Sequence, residues 1–313
     1  MNAVHLITGG AGFIGSHVAE RLLKDGQRVR IFDNFSTGRR ENLHFPGAER
    51  LEVVEGDLRD LAAVERAAQG AAVIYHQAAM RSVPRSVDDP LGANDNNVNG
   101  TLHVLEAARR HGVRRVVYAS SSSVYGDNPE LPKREDQAMA PISPYAVSKA
   151  AGEHYARVWT KLYGVETVGL RYFNVFGPRQ DPKSEYAAVL PRFILWALRG
   201  EPLEVHGDGH QSRDFTFIDN VVEANILGGQ APDASGEAFN VGCGERTSLL
   251  DVIAMLEAIL GRPVERRHSP SRGGDVPHTL ADVSKAKRLM GYTPLVGFAD
   301  GFRRTVEYFK AFA

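Results

Sequence analysis

The stretch TGGAGFIG, residues 8–15, directly follows a short apolar run at residues 4–7 and precedes a segment in which apolar residues recur at helical spacing. Glycines at positions 9, 12 and 15 allow a tight turn, close approach of a pyrophosphate and close packing of a helix on a strand. A helix that begins here would offer free N–H groups and its positive dipole end to phosphates. The stretch therefore predicts a strand, a phosphate-binding turn and a helix, although a plain glycine-rich loop would carry the same glycines.

The next apolar run, residues 29–32, ends at Asp33. A carboxylate at the end of a second strand can accept hydrogen bonds from an adenosine ribose. It would also disfavour a 2′-phosphate, so Asp33 favours NAD over NADP. The simpler explanation is an Asp that starts a turn before Asn34.

The alternation of apolar runs and helical patterns continues through the first half of the chain, with runs at residues 51–54, 72–75, 115–118 and 167–170. Strands that alternate with helices of this length form βαβ units with right-handed crossovers. We predict an α/β fold, a doubly wound parallel sheet (Rossmann) with a second, smaller mixed α/β lobe that binds substrate. The predicted NAD-binding domain covers residues 1–175 and is joined by residues 214–242, and the lobe covers 176–213 and 243–313.

The composition excludes several classes of protein. Lys and Arg (37) nearly cancel Asp and Glu (38), so no net charge draws the 313-residue chain to nucleic acid or to an anionic membrane. Cys243 is the single cysteine, which rules out an intrachain disulfide and fits a reducing compartment. No apolar run approaches the roughly 18 residues that a bilayer span requires, and the N-terminus lacks the features of a signal peptide. We expect a cytoplasmic protein.

His206 and His210 stand four residues apart, a spacing that would place two metal ligands on one face of a helix. The sequence GDG between them favours a loop instead. We expect no metal site.

The most informative pair of polar residues is Tyr145 and Lys149, in the sequence SPYAVSK at residues 143–149. Pro144 stands where a helix can begin, and the spacing puts both side chains on one helical face. A nearby ammonium should lower the pKa of the tyrosine, which could then act as a general base on a substrate hydroxyl. The serine run at residues 120–123 follows an apolar run, and ligands of parallel sheets bind outside the carboxyl ends of the strands. A solvated helix face and a polar loop are the simpler explanations of these two segments.

Together, the glycine turn, the serine run before Val124-Tyr125-Gly126, and Tyr-x-x-x-Lys resemble the extended short-chain dehydrogenase/reductase superfamily. The segments HQAA (76–79), DNNVNGT (95–101), LRYFNVFGP (170–178) and SRDF (212–215) look like those of the NAD-dependent UDP-hexose 4-epimerases. Residues 82–86, 179–182 and 186–189 are most similar to epimerases that act on N-acetylhexosamine nucleotides.

This resemblance implies a role for each catalytic residue. Tyr145 would take the proton of the sugar 4-hydroxyl while C4 gives hydride to NAD, and Lys149 would hold the nicotinamide ribose. Ser121 would hydrogen-bond the reacting oxygen. The transient 4-keto sugar would turn over and take the hydride back on its other face, so NAD would stay tightly bound.

The resemblance also implies two sets of binding residues. The implied cofactor contacts are Gly9, Gly12, Phe13, Ile14, Gly15, Asp33, Asn34, Ser36, Thr37, Gly38, Asp57, Leu58, Gln77, Ala78, Ala79, Arg81, Asn96, Tyr145, Lys149 and Phe173. The implied UDP-sugar contacts are Ser121, Ser122, Ser123, Tyr145, Asn174, Val189, Arg213, Arg272, Asp275 and Thr279. An arginine suits the second set because its planar fork matches phosphate oxygens.

Two residues bear on the choice of sugar. Thr279 stands at the family's gatekeeper position and is small enough to admit a 2-acetamido group, whereas Arg81 looks more like the basic residue of the glucose and galactose enzymes. The resemblance therefore implies action on plain and N-acetylated UDP-hexoses. A UDP-glucuronate 4-epimerase, in which Arg81 or Arg85 would meet the sugar carboxylate, is the nearest alternative.

A nucleotide-sugar dehydratase or reductase of the same superfamily is less favoured, and so is a non-catalytic NAD-binding protein. Dehydratases need an acid next to the serine run, where this chain has Ser122 and Ser123. Intact Tyr145, Lys149 and Ser121 disfavour a non-catalytic protein. Some related enzymes pair through a four-helix bundle, so residues 97–111 and 148–162 are candidates for the interface of a homodimer.

Overall fold

The computed structural model describes residues 3–182, 188–270 and 276–312. The strands are β1 (Val4–Thr8), β2 (Arg28–Asp33), β3 (Leu51–Glu55), β4 (Ala71–His76), β5 (Arg115–Ser121), β6 (Glu166–Tyr172), β7 (Val175–Phe176), β8 (Leu203–His206), β9 (Ser212–Arg213), β10 (Thr216–Phe217), β11 (Glu237–Val241), β12 (Thr247–Ser248) and β13 (Arg266–Ser269). The α-helices are α1 (Phe13–Lys24), α2 (Leu61–Ala68), α3 (Val83–Asp88), α4 (Pro90–Asn94), α5 (Gly100–Arg110), α6 (Pro144–Tyr163), α7 (Val189–Arg199), α8 (Ile218–Gln230), α9 (Leu249–Leu260), α10 (Ser284–Met290) and α11 (Phe298–Lys310).

Seven of these strands form one parallel sheet in the order β11-β6-β5-β4-β1-β2-β3. The order reverses between β1 and β4, and a doubly wound sheet opens a ligand-binding crevice at that point, outside the carboxyl ends of its strands. The predicted α/β fold is confirmed, and β11 brings the chain back to the sheet edge beside β6. The boundaries of the two predicted domains stay a prediction.

Helices cover both faces of the sheet because successive strand residues point to opposite sides. Ile7 and Val117 belong to the core on the side of α1 and α8. Their neighbours Leu6 and Val116 pack on the other side, with α2 and α5. The near-continuous apolar character of these strands follows from this double covering.

Local sequence fixes where α6 begins and ends. The Ser143 hydroxyl accepts a hydrogen bond from the Ala146 N–H, and Pro144 takes the first helical position, where its missing N–H costs nothing. Gly164 ends the helix with a left-handed φ of 73°. Tyr145 and Lys149 therefore lie in the first two turns.

The helix predicted at residues 97–111 is part of a longer helical stretch. A π-helical turn at Asp95–Asn99 joins α4 to α5, so helical backbone runs from Pro90 to Arg110. The Asn97 side chain within this turn bonds the backbone N–H and carbonyl of Met80 and the hydroxyl of Ser148. Within the described ranges, no helix has the length and the apolar character that crossing a lipid bilayer requires.

Candidate active site

A cavity of about 230 Å³ lies beside the turn at residues 8–15, at the carboxyl ends of the strands. Gly9 has a left-handed φ of 68°, and a Cβ on Gly15 would lie 2.2 Å from the Gly9 carbonyl oxygen. A Cβ on Gly12 would lie 3.2 Å from the same oxygen. Because no side chain fits at Gly9 or Gly15, the backbone can approach a ligand closely, and the first N–H groups of α1 have no acceptor within the helix. This cradle fits the pyrophosphate of a dinucleotide.

Asp33 lies in the wall of the same cavity and is held in one orientation. Its Oδ2 accepts a hydrogen bond from the Ala11 N–H at 2.9 Å, and its Oδ1 accepts one from the Phe35 N–H at 2.8 Å. Burial raises the pKa of Asp33, although both N–H groups pull it down. A Cβ on Gly38 would lie 2.8 Å from Oδ1, so glycine there keeps the carboxylate approachable.

The structure brings almost the whole predicted cofactor set into this wall, apart from Phe173. The wall contains Gly9, Gly12, Phe13, Ile14, Gly15, Asp33, Asn34, Ser36, Thr37, Gly38, Asp57, Leu58, Gln77, Ala78, Ala79, Arg81, Asn96, Tyr145 and Lys149. Phe173 is fully buried, with its ring 6.3 Å from that of Tyr125. Its neighbour Tyr172 lines the cavity instead, because adjacent residues of an extended chain point to opposite sides.

Some wall residues lie outside the predicted set. They are Phe32, Arg39, Asn42, Gly56, Met80, Arg85, Ala119, Ser120, Tyr172, Arg179 and Asp181. Arg39 and Asn42 directly follow the predicted loop at 33–38, so a longer loop would have included them. Arg179 and Asp181 reach the cavity from far along the chain, and no local pattern signals that contact.

Lys149 is almost fully buried behind Tyr145. Its Nζ donates a hydrogen bond to the Ala119 carbonyl at 2.8 Å and lies 5.1 Å from the Tyr118 ring centroid and 5.9 Å from that of Tyr145. Burial lowers the pKa of Lys149 to about 7. An amine with this pKa changes charge easily at neutral pH when an anion or a cation is brought near.

The predicted lowering of the Tyr145 pKa by Lys149 is wrong in this structure. Burial is the largest influence and raises the pKa of Tyr145, whereas a hydrogen bond with the Ser121 side chain and the charge of Arg81 lower it. Lys149 has no such effect on Tyr145, because its own charged form is disfavoured by burial. The sequence reveals the spacing of the two residues but not the loss of solvent around them.

The serine run takes up a defined geometry next to Tyr145. Ser121 is the last residue of β5, and its hydroxyl donates to Ser123 Oγ at 3.0 Å and accepts from the Ser123 N–H at 3.2 Å. Ser122 and Ser123 lie in the 3-10 turn that follows, and both are half-buried. Ser121 is the serine that lowers the pKa of Tyr145.

A second cavity, of about 250 Å³, contains three of the predicted UDP-sugar contacts: Asn174, Val189 and Arg213. Its wall also includes Val175, Phe176, Ala188, Leu190, Glu204, His206, Gln211, Phe215 and Leu249. Thr279 lies outside this wall, but its Oγ1 accepts a hydrogen bond from Asn174 Nδ2 at 3.0 Å. The predicted contacts Arg272 and Asp275 lie outside the described residues.

Asp214 ties together the segments that carry these contacts. It is fully buried, and its Oδ1 accepts a hydrogen bond from the Cys243 N–H at 2.8 Å. Its Oδ2 accepts from the N–H groups of Gly244 at 3.0 Å and Ala281 at 3.1 Å. Burial raises the pKa of Asp214 to about 6 despite these donors. The carboxylate therefore fixes the position of Arg213, its neighbour, relative to the segment that contains Thr279 and Ala281.

In the part of the chain that the structure describes, no group of three or more His, Cys, Asp or Glu side chains is placed to hold a metal ion. His206 ends β8, and its Nδ1 lies 2.7 Å from Ser269 Oγ.

Comparisons with known proteins identify relatives over the whole chain. The UDP-glucose 4-epimerase of Mycolicibacterium smegmatis is 42% identical over 97% of this chain and 98% of its own length. A solved UDP-N-acetylglucosamine 4-epimerase of Methanobrevibacter ruminantium, in complex with UDP-N-acetylmuramic acid, is 38% identical, with a TM-score of 0.95 over 100% of this chain and 99% of that one. A UDP-glucuronic acid 4-epimerase of Bacillus cereus, solved with UDP-glucuronic acid and NAD, is 34% identical, with a TM-score of 0.90 over 99% of this chain and 100% of that one. A sequence model of one family matches residues 5–242, and this chain belongs to that family, the NAD-dependent epimerase/dehydratase family.

Proposed function

We propose that this chain is a UDP-sugar 4-epimerase that inverts C4 of UDP-glucose and UDP-galactose, and also of UDP-N-acetylglucosamine and UDP-N-acetylgalactosamine. The observation that carries the proposal is that one cavity joins the glycine turn, Asp33, Tyr145 and Lys149. NAD held by the turn and by Asp33 would lie against a tyrosine that can exchange a proton with a sugar hydroxyl. The likeness to UDP-sugar 4-epimerases over nearly the full length supports the same substrate class.

NAD, when bound, supplies the acceptor and donor of hydride, with no net redox change over the cycle. The protein supplies proton transfer and orientation. Tyr145 takes the proton of the 4-hydroxyl as C4 becomes a ketone and returns it when the alcohol re-forms on the other face. Ser121, which lowers the pKa of Tyr145, would hydrogen-bond the same sugar oxygen.

Charge around Tyr145 decides how readily it takes the proton. Burial disfavours the phenolate, so positive charge brought close to the ring is needed to stabilise it. Arg81 already acts in this direction. A protonated Lys149 has three N–H donors, and the Ala119 carbonyl uses one of them, which leaves two for a ribose hydroxyl.

The proposed breadth for sugars rests on Thr279. Its hydroxyl is held by Asn174 Nδ2 and by the Asp214 N–H at 3.3 Å, so a small side chain is fixed beside the second cavity. A bulky aromatic at this position would take up space that a 2-acetamido group needs. This supports turnover of both plain and N-acetylated sugars.

A UDP-glucuronate 4-epimerase is the second candidate, and one observation favours it. Arg81 and Arg85 both line the cavity beside the glycine turn, where either guanidinium could pair with a sugar carboxylate. Some relatives act on UDP-glucuronate, including a 33% identical epimerase of Thermodesulfobacterium geofontis.

The decisive experiment supplies purified protein, without added NAD, with UDP-glucose, UDP-N-acetylglucosamine or UDP-glucuronate and resolves the products by proton NMR. We expect the 4-epimers of the first two sugars. Exclusive conversion of UDP-glucuronate would favour the second candidate. No conversion of any of the three, even after NAD is added, would overturn the epimerase proposal. Arg85→Ala tests the role of that arginine. It should leave the conversion of UDP-glucose and UDP-N-acetylglucosamine intact and weaken only the conversion of UDP-glucuronate.

We also propose a homodimer that forms through α6. Val147, Tyr155, Val158 and Leu162 recur at helical spacing along this helix, and their side chains are exposed. Leu91 on α4, which packs against α6, is exposed as well. Burying this stripe against a second copy would remove it from water. Light scattering should give a dimer for the wild type and a monomer for Leu162→Glu, whereas Leu295→Glu, an exposed leucine far from α6 in sequence, should stay dimeric.

Two further proposals rest on the sequence alone. We assign residues 1–175 and 214–242 to an NAD-binding domain and residues 176–213 and 243–313 to a UDP-sugar-binding lobe. We also assign the protein to the cytoplasm, since its single cysteine suits a reducing compartment.

A further inference from the structure

The segment at residues 177–182, which follows β7, runs back to the cavity beside the glycine turn and contributes Arg179 and Asp181 to its wall. Arg179 has a left-handed φ of 63°, a conformation that residues other than glycine rarely adopt. A hydrogen bond ties the segment to β7, because Gln180 Nε2 donates to the Val175 carbonyl at 3.1 Å. An unfavourable backbone conformation held in place by its surroundings often marks a functional residue.

The Arg179 guanidinium lies against the middle of α1. It forms an ion pair with Glu20 and donates to Ser16 Oγ at 3.4 Å. These two contacts use two of its five N–H donors and leave the others available. Its positive charge reaches into this helix, since it helps to lower the pKa of His17.

Glu20 neutralises part of the positive charge of Arg179, and an anion bound at the first turn of α1 would neutralise more of it. The glycine turn provides a cradle for such an anion at that point. A planar arginine fork is well suited to two phosphate oxygens.

We propose that Arg179 binds the pyrophosphate of NAD together with the glycine turn and thereby retains the cofactor between turnovers. The segment is closed by a second contact, because Arg39 Nη2 pairs with Asp181 Oδ2 at 2.7 Å. The Arg39 N–H in turn donates to the Ala11 carbonyl in the glycine turn, at 3.0 Å. The segment and the turn are thus joined across the cavity. This inference rests on the proposed NAD site but not on which sugar is turned over.

The test measures how fast purified holoenzyme loses NAD, without any sugar present. Released NAD is trapped and reduced by added alcohol dehydrogenase and ethanol, and NADH absorbance gives the rate. Arg179→Ala should release NAD about 10- to 100-fold faster than wild type, as expected for loss of a charged hydrogen-bonded contact. Arg179→Lys keeps the charge but not the planar guanidinium, so its rate of NAD release should lie between those of the wild type and Arg179→Ala. Arg21→Ala is the control: it removes an arginine of α1 that does not line the cavity, and it should release NAD at the wild-type rate.

Glu20→Gln separates phosphate binding from a merely structural role. If Arg179 only ties the segment to α1, Glu20→Gln should release NAD as fast as Arg179→Ala. If Arg179 binds phosphate, Glu20→Gln should release NAD no faster than wild type, since the guanidinium loses a competing anion. Equal acceleration by both variants, or no acceleration by Arg179→Ala and Arg179→Lys, would overturn the inference. Wild-type protein that contains no NAD and binds none would instead overturn the proposed function.

Discussion

Glu153 and Arg171 form a buried ion pair directly behind the wall of the cavity beside the glycine turn. Arg171 Nε and Nη2 donate to the two carboxylate oxygens at 2.9 and 2.8 Å, and both side chains are at most 5% exposed. Ser120, which lines the cavity, donates to the same carboxylate. Arg171 Nη1 also donates to the Tyr125 hydroxyl at 2.8 Å. The pair therefore links α6, β5 and β6 at the level of the site.

Replacing Glu153 by Gln should destabilise the fold strongly. The amide has almost the same shape, but it leaves the buried guanidinium without a counter-charge and turns an NH₂ group toward an N–H donor. Breaking a buried pair by removing one partner costs about 3–5 kcal/mol. With an unfolding entropy of about 2.1 cal/mol/K per residue, that corresponds to a fall in Tm of about 5–8 °C in this 313-residue chain.

The assay is calorimetric unfolding at pH 7.5 with saturating NAD, so that differences in cofactor content do not shift Tm. Glu166→Gln is the matched control. Glu166 pairs with Arg115, which is also buried, but Arg115 keeps the carbonyls of Gly228 and Ala231 as acceptors. Glu166→Gln should therefore lower the free energy of unfolding by only about 1 kcal/mol, as for one ordinary hydrogen bond. A Glu153→Gln variant no less stable than Glu166→Gln would refute the reasoning.

Three further substitutions test the site. Tyr145→Phe should lower kcat by about 10²- to 10⁴-fold through loss of proton transfer, with bound NAD and Tm unchanged, as measured by proton NMR and NAD release. Lys149→Met should raise Tm in nucleotide-free protein below pH 7, because burial lowers the pKa of Lys149 to about 7 from 10.5. Between pH 7 and pH 10.5 the amine is protonated in the unfolded chain but neutral in the folded chain, so the stability of the wild type rises with pH. The difference in Tm between Lys149→Met and the wild type should therefore shrink over this range. A difference in Tm that does not change with pH would contradict the lowered pKa of Lys149. Asp214→Asn should leave at least one backbone N–H unpaired, at a cost of about 1–3 kcal/mol of stability. It should also raise KM for the UDP-sugar more than it lowers kcat. An effect on kcat alone would contradict the idea that Asp214 positions Arg213.

The fold could be predicted from the sequence because its signals are local. An apolar run stopped by glycines gives a strand and a turn, as at residues 4–15, and its repetition gives the parallel sheet. The extent of the helical stretch from Pro90 was not predictable in the same way. It contains a π-helical turn in which the Asn97 side chain bonds Met80 and Ser148, and both partners are distant in sequence.

The candidate site was predictable to different degrees on its two sides. The cofactor residues lie in short segments at strand ends, so motifs locate nearly all of them in one wall. The structure places Phe173 outside this wall, because the alternation of an extended chain turns Tyr172, not Phe173, toward the cavity. The direction of the Tyr145 pKa also failed, because burial depends on every element around the ring and not on the distance to Lys149.

The sugar side depends on contacts between segments that are far apart in the chain. Asn174 reaches Thr279, and Asp214 holds Cys243, Gly244 and Ala281 by their N–H groups. A substitution in any of these segments can move a proposed UDP-sugar contact without changing its identity. The proposed choice of sugar therefore depends on packing between distant segments, whereas the proposed chemistry at C4 depends on Tyr145, Ser121 and the cavity beside the glycine turn.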